Sequence, residues 1–323
     1  MRRREFIALG LATLGMPLPA RTQGSKPKRV GVLLQGGPYY SGVDGLREEL
    51  KASGLQEGRE LALIVQDGMG DLAAIGAAAR ALEHDGTDLI VAFATSVALA
   101  AQRATVDVPI VFAISSDPVA LGLVNSMARP GGRLTGVHNI NTDLTAKRLE
   151  ILRELVPSLR RVLTFYNPGN ASAVLSVRLA RDAAQKLGVD LIERHFTSTE
   201  QIREHLHTLG AADADGYFFV SDAMVNSQDS LIIDRANALG MATMASWVDP
   251  VARGALVGYG ASFRELGRDT AGYVTRILAG SLPRDLPVEA VTRPALALNL
   301  KTARVLGLTI PPSILARADE VIE

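Results

Sequence analysis

Short, wholly apolar runs alternate with helical stretches along most of the chain, and this rhythm limits the possible folds more than any other feature. Arg29–Gln35 (RVGVLLQ), Glu60–Gln66, Asp88–Ala94 (DLIVAFA) and Pro109–Ser115 (PIVFAIS) read as strands. Between them Tyr40–Ser53, Asp71–His84 and Ser96–Ala104 read as helices, the first carrying Val43, Leu46 and Leu50 at helical spacing and ending at Gly54. A polar stretch with Pro130-Gly131-Gly132 and the run Leu134–His138 follow, and the rhythm restarts after a helix over Leu144–Leu155. Strands are then expected at Arg161–Tyr166, Val189–His195, Gly216–Val220, Ala242–Ser246 and Ala255–Tyr259, with helices at Ala171–Leu187, Thr199–Leu209, Gln228–Leu239 and Ser262–Leu278. Strands apolar throughout, rather than alternating, suit parallel sheets covered by helices on both faces. The reading is an α/β chain of two similar units, and 323 residues is more than one core usually serves.

The N-terminus, MRRREFIALGLATLGMPLPA, has three arginines before an apolar run from Phe6 to Leu18. That run is too short to span a bilayer. Its charged start, apolar middle and small-residue end read as an export signal cleaved near Ala20, and the paired Arg3-Arg4 resemble a twin-arginine signal. Residues 21–27 read as a tether. The formal charge is zero, which leaves no electrostatic footprint for nucleic acid. With no cysteine, disulfides, thiolate nucleophiles and Cys-type zinc sites are excluded. The expected mature protein is exported, monomeric and not inserted in the membrane.

Ligands of open parallel sheets bind beyond the carboxyl ends of the strands. In the first unit those positions hold Gly36-Gly37, Thr95-Ser96 and Ser115-Ser116-Asp117; in the second they hold Tyr166-Asn167, Ser221-Asp222 and Trp247. Tyr259-Gly260 ends a strand expected to run between the units. Short hydroxyls at helix starts suit a carboxylate, which the helix end attracts. Aromatic side chains suit an apolar or ring-shaped body. The same Ser, Asn and Asp residues also serve as helix caps. The candidate ligand-binding set is Gly37, Tyr40, Thr95, Ser96, Ser116, Asp117, Tyr166, Asn167, Asp222, Trp247 and Tyr259. Ser96 and Ser116 would hold a carboxylate, Tyr40, Tyr166 and Tyr259 would wall the body, and Asp222 would pair with an ammonium.

Signatures of catalysis are missing. No HExxH, GxSxG or P-loop motif occurs, and His205 and His207 stand at i,i+2 of a helix, where side chains diverge. Gly68-Met69-Gly70-Asp71 reads as a turn. No metal or cofactor is expected. A nucleophile at Ser96 or Ser116 would have no histidine placed by the sequence to serve it.

Several segments resemble one family: Ser116–Val124 (SDPVALGLV), Ala128–Gly136 (ARPGGRLTG), Leu149–Pro157 (LEILRELVP), Ala271–Gly280 (AGYVTRILAG) and Asn299–Ile322 (NLKTARVLGLTIPPSILARADEVI). They resemble the substrate-binding components of ABC transporters that include tryptophan- and tyrosine-binding proteins, and the likeness spans residues 28–323. The resemblance implies a type I periplasmic-binding-protein fold, with two Rossmann-like lobes joined by a three-crossing hinge. It implies capture of a small ligand, delivery to a membrane permease with a separate ATPase, and no catalysis. The lobes are expected at 28–135 plus 261–286 and at 136–260 plus 287–323. The chain departs from the family pattern in its first loop, Gln35–Ser41, and at Ala94-Thr95-Ser96, where Gly-Thr-Pro is common. The rival functions on the same scaffold are a secreted hydrolase and a ligand-sensing subunit.

Overall fold

The computed structural model describes residues 26–291 and 293–323; the expected export signal at 1–20 lies outside them. The chain enters through β1 (Lys28–Leu34), α1 (Tyr39–Ala52), β2 (Leu61–Asp67), α2 (Leu72–His84), β3 (Leu89–Phe93), α3 (Thr95–Ala104), β4 (Ile110–Ile114) and β5 (Leu134–Asn139). It crosses to a second body built from α4 (Thr145–Leu155), β6 (Arg161–Tyr166), α5 (Ala171–Leu187), β7 (Asp190–His195), α6 (Thr199–Thr208), β8 (Gly216–Phe218), α7 (Ala223–Asn226), α8 (Asp229–Ala238), β9 (Ala242–Ala245) and β10 (Val257–Gly260). It returns as α9 (Phe263–Leu278) and β11 (Glu289–Val291), then crosses a third time into β12 (Ala295–Asn299), α10 (Leu300–Val305), α11 (Pro312–Leu315) and β13 (Glu320–Ile322).

Two sheets result. The first has the order β11-β5-β4-β3-β1-β2 and is parallel throughout; the second has the order β13-β12-β10-β9-β8-β6-β7. Its one antiparallel pairing joins β10 to β12. The wholly apolar runs are buried on both faces, as in β3 and β4, where every residue is buried. The repeated strand–helix units thus follow from the need to cover both faces of each sheet.

Two details differ from the expected plan. The first sheet keeps β5 through Asn139 and gains β11 at 289–291, so the chain leaves this lobe after Asn139 and after Val291 rather than at 135/136 and 286/287. Thr135, expected at a crossing, is buried within β5, and its hydroxyl donates to the Leu286 carbonyl. The strand ending at Tyr259-Gly260 does not run between the units. It lies inside the second sheet between β9 and β12, where apolar neighbours cover it.

Helix α9 returns to the first lobe and packs on α1 with backbones in contact. A Cβ at Gly267 would fall 1.9 Å from the Gly42 carbonyl oxygen, and one at Gly45 would fall 1.9 Å from the Arg264 carbonyl oxygen. The contact therefore needs glycine on both helices. Gly267→Ala is expected to destabilise the protein by about 1–3 kcal/mol through overpacking, despite alanine's better helix propensity. Gly272→Ala, in the same helix but facing open space, is expected to stabilise by up to ~1 kcal/mol. Denaturant unfolding of the two variants checks this opposition of signs.

Candidate functional site

The carboxyl ends of the two sheets face each other across a narrow, partly open cleft. From the first lobe its wall is made by Tyr39, Ala94, Thr95, Ser96 and Ser115. From the second it is made by Asn170, Ser172, Ser221, Ala223, Asn226 and Trp247. None of these side chains is charged.

Each wall segment follows a strand. After β3 the chain turns at Ala94, with φ +91° and ψ 150°, a conformation normally left to glycine. The turn starts α3 at once, so Thr95 and Ser96 of its first turn, where helix N–H groups lack intrahelical partners, line the cavity. Thr95 is held in place by the Ser115 N–H, which donates to its hydroxyl at 3.3 Å. After β8 the chain makes the Ser221–Ala223 turn into α7, and after β9 it places Trp247. The indole is buried and stacks on Phe263 at 3.8 Å between ring centroids. Phe263 in turn packs on Tyr39 at 4.6 Å.

Four buried polar atoms of residues on this wall have no hydrogen-bond partner among the described residues: Ser96 Oγ, Ser221 Oγ, Asn226 Nδ2 and Trp247 Nε1. Such groups normally cost ~1–3 kcal/mol each unless something satisfies them. Their residues share one wall, which makes it the candidate site. At the rim, Ser116 Oγ and Ser172 Oγ share a 2.6 Å hydrogen bond between the lobes. Gly37 abuts the second lobe so closely that a Cβ would sit 2.7 Å from the Asn226 carbonyl oxygen.

Of the candidate residues, the structure brings Thr95, Ser96 and Trp247 onto the wall, with Ser116 at its rim and Gly37 at a contact between lobes. The others lie elsewhere. Tyr40 is 46% exposed and its hydroxyl donates to Asp67. The residue on the wall is Tyr39, one helical step away, which shares the buried stripe of Val43, Leu46 and Leu50. Asp117 is exposed and accepts the Val119 and Ala120 N–H groups, as a local cap does. Tyr166 packs beside His195 and the second-lobe core. Asn167 caps its own loop, accepting from the Gly169 N–H. Tyr259 lies on the second-lobe core, and its carbonyl accepts from Arg148. Tyr39, Asn170, Ser172 and Asn226 were missed. Only Tyr39 carried a sequence signal, the i,i+4 step to Val43.

Asp222 lies beneath the wall rather than on it. One carboxylate oxygen accepts the Met224 and Val225 N–H groups and the other accepts the Asn167 N–H. Expected to pair with an ammonium, it instead caps α7. Among the described residues there is no cluster of three or more His, Asp or Glu placed to hold a metal, and no helix is long and apolar enough to cross a membrane.

The ABC transporter substrate binding protein family model matches residues 29–322. The chain belongs to this family. A tyrosine-binding protein of Clostridioides difficile is 25% identical over 291 residues, 89% of this chain and 83% of that protein. A solved conserved domain protein from Vibrio cholerae is 30% identical, with TM-score 0.82, over 92% of this chain and all of its own. The ABC domain of Streptococcus pneumoniae solved with L-Trp is 25% identical, with TM-score 0.80 and the same coverage. The architecture is that of the type I periplasmic-binding proteins.

Burial pushes the Asp222 carboxyl up to about 6, against the pull of its three N–H partners. The ordinary value is ~3.9, so the folded protein keeps this proton longer than the unfolded chain. The group's stabilising contribution is full below pH ~4 and is lost as pH rises through about 6. Asp222→Asn keeps a capping oxygen and cannot titrate. Relative to the unchanged protein it is expected to gain on the order of 2–3 kcal/mol between pH ~4 and ~6. Parallel stability–pH curves would show that Asp222 ionises freely.

Proposed function

We propose that this protein is the solute-capturing component of an ABC importer, working in the periplasm after loss of its export signal, and that it closes around an aromatic amino acid. The observation that carries this reading is the uncharged cavity between the lobes, with its four unpartnered polar atoms and the first turn of α3 facing inward. A zwitterion of this size needs neutral donors for its carboxylate, and a helix N-terminus supplies them with a favourable dipole. The ligand carboxylate would lie against Thr95 and Ser96, and its ring between Tyr39 and Trp247. Its ammonium would face the Ser221–Ala223 turn, beneath which Asp222 supplies negative charge. The tyrosine- and L-Trp-binding relatives support the ligand class.

The protein works by binding alone. The Ser116 hydroxyl is bonded to Ser172 and the Ser96 hydroxyl has no partner among the described residues, so neither serine has a histidine as its base. A permease with a separate ATPase would receive the ligand from the closed form, and the monomer suffices for capture. For closure to carry a signal, the ligand must favour the closed state over the open one.

The test is to unfold, dialyse and refold the protein, then titrate L-tyrosine and L-tryptophan by calorimetry alongside tyramine and tryptamine, which lack the carboxylate. At about 100 Kd, the bound amino acid should add ~2.7 kcal/mol to stability. Ser96→Ala should weaken binding roughly tenfold, about 1.4 kcal/mol. It should leave the ligand-free melting temperature unchanged or raise it, because its hydroxyl bonds to nothing among the described residues. Equal binding of the amines, or no binding of either amino acid, would reject this ligand class.

A further inference from the structure

Helix α9 begins at Phe263, immediately after the chain crosses back to the first lobe. Its N-cap residue, Ser262, has suitable extended angles (φ −88°, ψ 136°) but makes no side-chain cap hydrogen bond. The cap comes from the other lobe: the Asp249 carboxylate accepts the Phe263 N–H at 2.9 Å. Nearby Arg253 is paired with Asp229, so Asp249 is not held there as part of an ion pair with it. Two residues before Asp249, Trp247 stacks on the Phe263 ring. The segment 247–249 of the second lobe therefore grips the first residue of α9 twice, once by its backbone and once by its ring. The same indole lines the cavity, and its Nε1 has no partner among the described residues.

The grip sits at the pivot. Only Ala261 and Ser262 separate the end of β10 from Phe263. A Cβ at Gly258 would lie 2.4 Å from the Trp247 carbonyl oxygen, and one at Gly260 would lie 2.3 Å from that of Ser246. Two glycines thus seat this segment directly on the strand that leads into the crossing.

We propose that Asp249 is a positioning residue for ligand capture: by capping α9 from the opposite lobe it fixes Phe263 under Trp247 and so sets the indole edge of the binding cavity. A helix N-terminus carries unbonded N–H groups and partial positive charge, and a carboxylate answers both. A cap supplied in cis would stabilise α9 equally well and leave Trp247 without its fixed platform. The cap's origin in the second lobe is what ties helix, ring stack and cavity wall together.

Trp247 is the protein's one tryptophan, so its emission reports this wall directly. The experiment compares the unchanged protein, Asp249→Ala, and the double variant Asp249→Ala/Ser262→Asp, in which the cap is restored in cis. Emission maximum and acrylamide quenching are read on ligand-free protein, with melting temperature and L-tyrosine affinity alongside. Asp249→Ala should shift the emission to the red, raise quenching and lower the melting temperature. It should also weaken L-tyrosine roughly tenfold, about 1.4 kcal/mol. The double variant should recover the melting temperature while its emission and affinity stay altered. Unmoved emission in Asp249→Ala, or recovery of emission together with melting temperature in the double variant, would overturn the proposal and leave Asp249 an ordinary cap. If Asp249→Ala does not fold, Asp249→Ser, too short to span the gap, takes its place with the same outcomes. The affinity effect rests on the cavity being the amino-acid site. Failure of the unchanged protein to bind L-tyrosine would count against that ligand, and the emission results would still decide the role of Asp249.

Discussion

The contact of α9 with α1, backbone against backbone through Gly42, Gly45 and Gly267, is the constraint on which the rest of the molecule depends. The chain has left the first lobe by the time α9 is made, and this contact returns it there. Once α9 is fixed, the second crossing is held to the two residues after β10. On the second-lobe side the crossings are also tied to each other. The buried guanidinium of Arg148 donates to the Tyr259 carbonyl at 3.0 Å and to the Asn141 carbonyl. Burial without a carboxylate partner lowers its pKa to about 9, so it stays cationic near neutral pH and holds both carbonyls. Between the lobes the chain passes through short segments after β5 and after β10.

The cavity between the lobes shows the cost that recognition places on stability. Ala94 adopts a backbone conformation worth ~1–3 kcal/mol of strain, and four polar atoms on the wall are left without partners. A core built for stability alone would satisfy or remove them. Here they stand where a ligand with a carboxylate and an ammonium would satisfy them, which makes the closed state depend on what it encloses. The Ser116–Ser172 hydrogen bond and the close seat at Gly37 add contacts between the lobes.

Fold class was legible in the sequence because burial on both faces writes itself as unbroken apolar runs, and nothing else in a soluble chain produces that pattern repeatedly. The ends of the lobes were harder to place. Whether 289–291 pairs with β5 depends on partners more than 130 residues away. The site was legible by position, since it does lie beyond the strand ends, but less so by residue. Tyr39 and Tyr40 differ by one 100° step around a helix, and only the stripe of Val43, Leu46 and Leu50 separates the buried ring from the exposed one. Asp222 follows its strand as a ligand residue would, yet its carboxylate is claimed by the neighbouring Met224 and Val225 N–H groups of α7 and by the Asn167 N–H from a loop distant in sequence. Asn170 and Ser172 sit at or just inside the start of α5, where capping and binding call for the same side chains, and Asn226 ends the short α7.

The central claim is that two rigid lobes close over an amino acid, and solution scattering tests it most directly. Protein freed of ligand by unfolding and refolding is measured with and without saturating L-tyrosine. The account predicts that the ligand reduces the radius of gyration and brings the scattering curve onto the one calculated from the closed arrangement described above. Identical curves in the two samples, with binding demonstrated by calorimetry, would contradict it.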